Sequence, residues 1–346
     1  MKIRGKLKAV LKKPFNFFSW HLSIYKGGRE LRNINDGNKF IFVFSCGIGD
    51  IVWSSSFLQA YIEENNITGK ILILCLKRDL RILQTYYPNF EYKCLGKEML
   101  ECVTKYSSIK RIENVKATIY PVSDIRKHIQ VKSKCYADLG MEMDTCYKRG
   151  CFQLSDNVPL KKPDLSIYLD QALSIIREKH MPENKTVVLV PFINSRIQMP
   201  LGYWEKIADI LIHLGYQVYT NISSLDGEYV KNTTPLYTSL EVLPLVIKYV
   251  GYAVSARCGL ADWLYVNECR MSIIHTFKTD KTMSFDEHIK SKYGKLESFS
   301  DMGNRCQLKK ILEYRIDVDD IKDSILMRIA KDVDYQLKEG EYRNAL

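Results

Sequence analysis

The hydrophobic positions of this chain alternate between short unbroken runs and a helical period. Residues 40–50, FIFVFSCGIGD, form an apolar run that ends in two glycines and an aspartate, and Ile51, Leu58 and Ile62 then follow at helical spacing. An unbroken run of this length is typical of a buried strand, and the spacing after it indicates a helix. The segment therefore predicts a strand, a tight loop and a helix in direct succession.

The alternation continues beyond this helix. Residues 70–76, KILILCL, and 90–95, FEYKCL, are strand patterns, and the helix predicted between them ends at Pro88. Residues 96–180 lack a clean period, apart from a helical pattern at 164–179. Strands that alternate with helices form parallel sheets, so the first half of the chain predicts an α/β domain.

A second series of strand and helix patterns begins at residue 185. Strands are predicted at residues 185–192, 216–223, 252–256 and 270–277, the last of which we predict to be the final strand. One intervening helix has Pro200 in its first turn, another is interrupted by Pro244, and residues 318–337 indicate a terminal amphipathic helix. We therefore predict a basic arm, two doubly wound domains facing a cleft and a C-terminal helical segment, at residues 1–38, 39–180, 181–310 and 311–346.

Length and composition restrict the class of protein. The 346 residues suffice for about two domains of roughly 150 residues each. With 46% hydrophobic and 26% charged residues, the composition excludes a disordered or fibrous chain. No uncharged stretch reaches the roughly 18 residues of a membrane-spanning helix, and no secretory signal follows Met1. The ten cysteines contain no C-x-x-C pair, so we expect reduced thiols and a cytoplasmic location.

Positive charge is concentrated at the start of the chain. Residues 1–40 contain ten basic and two acidic side chains, and so hold +8 of the net charge of +11. Phe17, Phe18 and Trp20 are interleaved with these cations. Lys and Arg attract anionic lipid by about 1 kcal/mol each near the surface, while aromatic rings lie at headgroup depth. We therefore predict that residues 1–35 attach the protein peripherally to an anionic membrane surface, at the inner face of the cell membrane.

Two other interpretations of this arm remain open. The same cations would suit the phosphate backbone of a nucleic acid, but the remainder of the chain has no basic face or recognisable nucleic-acid-binding module. We therefore expect no nucleic acid as a partner. The second alternative is that the arm is a solvated basic extension whose aromatic side chains pack on the body of the protein.

Three segments carry recognisable motifs. They are residues 47–50, directly before a predicted helix; residues 190–211, with a strand, a loop and a helix start; and residues 254–264, again at a strand end. Together they resemble the GT-B glycosyltransferases, and most of all the heptosyltransferase-like group, glycosyltransferase family 9. The resemblance extends over residues 39–275. It implies two Rossmann-like domains, an N-terminal one that presents an acceptor hydroxyl and a C-terminal one that binds a nucleotide diphosphate sugar.

The third motif departs from the pattern of that family. Arg257 stands where an Asp is usual, Cys258 replaces a hydroxyl residue, and Asp262 replaces a His. In the second motif the usual lysine has no counterpart, and Arg196 is the nearest cation. The resemblance therefore implies the fold, but not a heptose as the sugar.

The resemblance places the catalytic base of the family at Asp50. Gly47 and Gly49 beside it permit close approach of the backbone to a ligand. A carboxylate at a helix N-terminus is stabilised as the anion by the helix dipole, which weakens it as a base. The alternative is that Asp50 only caps the helix.

The donor phosphates are expected at cations that follow strands of the second domain, since ligands bind at the carboxyl ends of strands in open α/β sheets. Arg196 and Arg257 are in this position, and a guanidinium can bind phosphate oxygens through two bonds. The alternative for each arginine is a surface or interdomain salt bridge.

Other candidate contacts with the donor lie beside these arginines. They are Asn194, Cys258, Gly259 and Asp262. The amide of Gly259, at a helix start, is suited to bind phosphate. Asp262 is suited to bind donor hydroxyls, to cap the helix or to form an ion pair. The sequence has no cluster of histidines with metal spacing. Families of this type commonly meet the charge of the leaving diphosphate without a divalent metal, so we expect neither a metal nor a cofactor besides the donor.

The resemblance and the charge distribution together predict an inverting, metal-independent glycosyltransferase. It would move a sugar from a nucleotide diphosphate sugar to a lipid-linked or glycan acceptor during assembly of bacterial cell-surface polysaccharide. Two alternatives stay open. One is a nucleotide-sugar 2-epimerase, which shares the architecture, and the other is a catalytically degenerate GT-B scaffold subunit, which the replacements at Arg257 and Asp262 favour.

Overall fold

Two parallel β-sheets organise the chain in the computed structural model, which describes residues 19–34, 39–107, 119–121, 143–193, 197–278 and 311–344. The strands of the first sheet are β1 (Lys39–Val43), β2 (Lys70–Cys75), β3 (Glu91–Cys94) and β4 (Ile119–Pro121), in the order β3-β2-β1-β4. Those of the second are β5 (Thr186–Val190), β6 (Gln217–Ile222), β7 (Thr234–Tyr237), β8 (Gly251–Ala256), β9 (Met271–Phe277) and β10 (Leu312–Asp317), in the order β10-β9-β8-β5-β6-β7. Every adjacent pair of these strands is parallel, which confirms the predicted α/β class.

Helices connect the strands and cover the sheets. They are α1 (residues 19–34), α2 (Ile48–Glu64), α3 (Leu80–Tyr86), α4 (Lys97–Ser107), α5 (Leu169–Glu178), α6 (Leu201–His213), α7 (Leu243–Val250), α8 (Gly259–Val266) and α9 (Asp323–Asn344). A short turn of helix, Met143–Thr145, leads into a π-helical stretch, Cys146–Phe152, which we call the π segment. None of the helices in the described ranges has the length and apolar character that crossing a bilayer requires.

The buried residues form layers that join the two sheets. Leu31 of α1 and Leu100 of α4 pack on Ile41 and Leu72, and so cover one face of the first sheet. The opposite face shares one continuous hydrophobic cluster with the second sheet, through α2, α3, α7 and α8. On the far face of the second sheet lie α6 and α9. We call the first sheet with α1–α4 the N lobe, and the second sheet with α6–α9 the C lobe.

The structure corrects several predicted elements. Strand β9 is not the final strand, because β10 pairs with it and opens the segment that we assigned to a C-terminal helix. Strand β7 and helix α4 were not predicted at all. Pro244 lies in the first turn of α7 and does not interrupt it, since a first-turn residue needs no amide hydrogen for a helical bond. The terminal helix begins at Asp323 and packs against α6.

Two adjacent glycines seat α1 on α4. A Cβ atom added at Gly27 would collide with the backbone carbonyl of Cys102, and one added at Gly28 would collide with the ring of Tyr106. The two helix backbones therefore touch at this point. The contact fixes where the basic N-terminal region joins the N lobe.

We expect Gly27→Ala to lower the free energy of unfolding by about 1–3 kcal/mol, because the new methyl group has no space between α1 and α4. Urea denaturation of the full chain measures this change. Gly202→Ala is the matched control, since Gly202 also lies in a helix but has no atom within 4 Å of an added Cβ. It should be neutral or slightly stabilising, and an equal loss in both variants would contradict the close contact.

Candidate active site between the lobes

The loop after β1 places Asp50 in the first turn of α2. Gly47 is the N-cap residue in extended conformation, with a φ of −76°, and its carbonyl accepts the amide hydrogen of Ile51 at 3.0 Å. Asp50 is thus the third residue of the helix, and the interpretation of Asp50 as the N-cap is wrong. Its carboxylate is half-buried at the carboxyl end of β1, where an open α/β sheet binds its ligands.

Tyr147 holds this carboxylate from the π segment. Its hydroxyl donates to Oδ1 of Asp50 at 2.8 Å, although the two residues lie 97 positions apart in sequence. The Tyr147 side chain is buried, and its ring stacks on the indole of Trp53 with centroids 6.4 Å apart. Single-turn π-helical insertions occur often at functional sites. Tyr147 was not predicted as a site residue, because nothing in the local pattern indicates a contact across so long a separation.

The π segment is itself anchored to α2. Nζ of Lys148 lies 3.5 Å from Oδ2 of Asp144, and both side chains are almost fully buried. The same ammonium group donates to the carbonyl of Asp156 at 3.1 Å and lies over the ring of Phe57 in α2, 5.2 Å from its centroid. These contacts fix the backbone from which Tyr147 extends toward Asp50.

The amino ends of α2 and α8 meet directly. A Cβ atom added at Gly259 would lie 2.6 Å from the amide nitrogen of Gly49, and one added at Gly49 would collide with the carboxylate of Asp262. Both glycines therefore permit the contact between the helices, and their predicted contact with a ligand stays a prediction. Gly47 is different, because an added Cβ there would meet only Oδ2 of Asp50, at 3.7 Å.

A buried ion pair completes this contact. The guanidinium of Arg257 donates to both carboxylate oxygens of Asp262, at 2.9 and 3.0 Å, and both residues are only 4% exposed. Nε1 of Trp53, from the N lobe, donates to Oδ1 of the same carboxylate at 2.9 Å. The two residues that depart most from the family pattern thus bind each other. Their predicted contacts with a donor remain predictions, and Arg257 would have to share or leave this pair to bind phosphate.

The remaining predicted contacts have different outcomes. Cys258 is the N-cap residue of α8, and its carbonyl accepts the amide hydrogen of Ala261 at 2.9 Å. Asn194 and Arg196 lie outside the described residues. Across the described ranges, no group of three side chains has the arrangement of a metal site.

Three polar side chains stand together where β7 ends and α7 begins. They are Thr238, Ser239 and Glu241, and within the described part of the chain Oγ1, Oγ and Oε2 of these residues are buried without a hydrogen-bond partner. Burial, together with the nearby Glu241 carboxylate, raises the pKa of Tyr168. Because buried polar atoms normally have partners, this cluster is suited to a polar ligand.

Two Rossmann-like lobes joined at the carboxyl ends of their sheets define the GT-B fold. The chain is similar to the glycosyl transferase family 9 structure from Veillonella parvula, with a TM-score of 0.51 and 13% identity over 88% of this chain and 98% of that one. It is also similar to ADP-heptose LPS heptosyltransferase II from E. coli, with a TM-score of 0.54 and 11% identity over 88% and 99%. No protein-family model and no curated protein matches the sequence. The likeness confirms the predicted fold, which the chain shares with these two structures.

Substitution of Asp262 by Ala should destabilise the protein strongly. It leaves the buried guanidinium of Arg257 without this carboxylate, and breaking a buried ion pair costs about 3–5 kcal/mol. Urea titration measures the loss. Lys206→Ala is the control, because Nζ of Lys206 lies 2.7 Å from Oδ1 of Asp323 but both side chains are exposed, so little change is expected. A small effect of both substitutions would contradict the structural role of the pair.

Proposed function

We propose that the protein is a glycosyltransferase that uses a nucleotide diphosphate sugar as donor. The observation that carries this proposal is the position of Asp50, a half-buried carboxylate at the carboxyl end of β1, beside the contact with the C lobe. The GT-B fold supports it, because the two lobes offer separate surfaces to a donor and an acceptor. The acceptor that we propose is a lipid-linked or glycan hydroxyl of cell-surface polysaccharide.

Asp50 is the proposed general base. It would accept the proton of the acceptor hydroxyl while the acceptor oxygen bonds to the anomeric carbon and the bond to the diphosphate breaks on the opposite side. This displacement inverts the anomeric configuration. Tyr147 is a positioning residue in this scheme, because its hydroxyl fixes one oxygen of the carboxylate. A positioned base contributes about 10²–10⁴-fold to a rate.

The donor is proposed to bind at the carboxyl ends of the C-lobe strands. Glu241 and Ser239 follow β7 there, and the orphaned Oε2 and Oγ atoms would accept hydrogen bonds from ribose hydroxyls or from a base amino group. Asn194 and Arg196 follow β5, and Arg257 follows β8. These residues are the proposed contacts with the diphosphate, together with the amide of Gly259, and we propose that transfer needs no divalent metal.

Membrane attachment is proposed to involve the outer face of α1. Leu22 and Tyr25 are 43% and 63% exposed, and the exposed Lys26 and Arg29 lie on the same side of the helix. The opposite face of α1 is buried on α4. Apolar side chains followed by cations on one outer helix face are suited to an anionic lipid surface, which supports a bilayer as the partner of this face.

The catalytic proposal is tested by incubating the full chain with ADP-, UDP- and GDP-sugars and measuring release of nucleoside diphosphate, with and without EDTA. We expect one donor class to react regardless of EDTA. Asp50→Asn should lower kcat by about 10²–10⁴-fold. Tyr147→Phe should lower kcat by about 10–100-fold with KM little changed, because the carboxylate of Asp50 loses a charge-assisted hydrogen bond.

Asp170→Asn is the matched control for Asp50, because Asp170 is also the acidic residue in the first turn of a helix, α5. It should leave the rate unchanged. Failure of the folded protein to release nucleotide from any donor, with no shift of its melting temperature by ADP, UDP or GDP, would contradict the proposal. That result would favour a catalytically degenerate scaffold, an interpretation that the pairing of Arg257 with Asp262 supports.

Co-sedimentation with vesicles that contain phosphatidylserine tests the membrane proposal. Substitution of Lys26, Arg29 and Arg32 by Glu reverses three charges and should weaken binding to the vesicles by about 100-fold or more, since each cation contributes about 1 kcal/mol near an anionic surface. The same reversal of Arg328, Lys331 and Lys338, which are exposed on α9, is the control. Equal binding by both triple variants would contradict a role of α1.

A further inference from the structure

Two cysteines face each other at the carboxyl edge of the N-lobe sheet. Cys75 ends β2 and Cys94 ends β3, and the register of the two strands makes them direct partners. Neighbouring strands lie about 4.8 Å apart, within the range of about 4.4–6.8 Å between the Cα atoms of a disulfide. Directly paired residues of parallel strands point to the same face, so the two thiols lie side by side.

The two thiols differ sharply in exposure. Cys75 is completely buried, whereas Cys94 is exposed on the edge strand. Burial, the neighbouring Cys94 and the nearby Asp79 all raise the pKa of Cys75, so its thiol is held neutral. A small oxidant in solution therefore reaches Cys94 first, and Cys75 lies directly behind it.

Asp79 provides a third group at the same place. Its side chain is 1% exposed, and within the described ranges Oδ2 has no hydrogen-bond partner, while Oδ1 lies 3.4 Å from Nε of Arg78. Burial raises the pKa of this carboxyl group, despite the opposing charge of Arg78. The nearby carboxylate disfavours the thiolate form of Cys75, so this buried thiol stays protonated while Cys94 reacts.

We infer that Cys94 and Cys75 form a reversible peroxide-oxidised disulfide site, with Cys94 as the reacting thiol and Cys75 as the resolving thiol. The sulfur of Cys94 attacks one oxygen of hydrogen peroxide. The O–O bond breaks, a sulfenic acid forms, and the other oxygen leaves as water with the thiol proton. This inference goes beyond the proposed glycosyl transfer and does not depend on it.

The second step closes the disulfide. The sulfur of Cys75 attacks the sulfenic sulfur, the S–S bond forms and the S–O bond breaks. The proton of Cys75 passes to the departing hydroxide, which leaves as water. In total, two thiols are oxidised to one disulfide and one peroxide is reduced to two water molecules. A thiol reductant reverses the change.

The disulfide would act on elements that lead to the candidate active site. The amide of Leu95 already donates to the carbonyl of Cys75 at 2.9 Å, so the new bond would secure the end of β3. Helix α4 starts shortly after, and Oγ1 of Thr104 in this helix donates to Oγ of Ser45 at 2.8 Å. Ser45 belongs to the loop between β1 and α2, directly before the helical turn that carries Asp50, so oxidation is placed to change the conformation of this loop.

The test exposes the fully reduced full chain to hydrogen peroxide, blocks the remaining thiols with N-ethylmaleimide and identifies linked peptides by mass spectrometry. We expect a Cys75–Cys94 peptide that dithiothreitol removes, with loss of both thiols. Cys102→Ser is the control, because Cys102 is a partly exposed thiol of the N lobe outside the pair, and the link should form unchanged. Oxidation of Cys94 to sulfinic acid without this link would overturn the inference.

One variant separates the two steps. In Cys75→Ser, Cys94 should stop at the sulfenic acid, which dimedone traps, and little of this adduct should form in the wild-type chain. Absence of dimedone labelling in Cys75→Ser would overturn the role of Cys94.

Discussion

The contact between the amino ends of α2 and α8 determines how the two lobes are arranged. Gly49 and Gly259 permit this approach because neither carries a Cβ atom, and Trp53 donates across it to Asp262. Since α2 follows β1 and α8 follows β8, the contact brings the carboxyl ends of both sheets together. A shift of either helix would therefore move Asp50 relative to the carboxyl ends of the C-lobe strands, where we propose that the donor binds.

The ion pair beneath this contact favours one orientation of the lobes more than it adds net stability. Removing two charges from water costs desolvation free energy. Their mutual attraction offsets this cost only when the geometry also satisfies the remaining hydrogen-bonding groups. Here Arg257 binds both oxygens of Asp262, and Trp53 adds a further donor from the other lobe. A guanidinium engaged in this way is a weaker candidate for phosphate than its position in sequence suggested.

Local pattern predicted most of the fold, and long-range contacts account for what it missed. Unbroken apolar runs indicated β1, β2 and β5 because these strands are buried on both faces. Strands β7 and β10 escaped because they lie at sheet edges and alternate with polar residues. Asp50 was found through resemblance, but Tyr147 and the bond from Trp53 to Asp262 join residues 97 and 209 positions apart, which no local period indicates.

The two carboxylates nearest the contact between α2 and α8 occupy different environments, and the difference suits them to different roles. Asp262 is buried and bound through both oxygens by Arg257, so it suits a fixed structural role. Asp50 is half-buried, and the phenol of Tyr147 holds one of its oxygens. A general base must come within hydrogen-bond reach of the hydroxyl whose proton it takes. The half-buried carboxylate of Asp50 is open to such a contact, whereas burial closes off the carboxylate of Asp262.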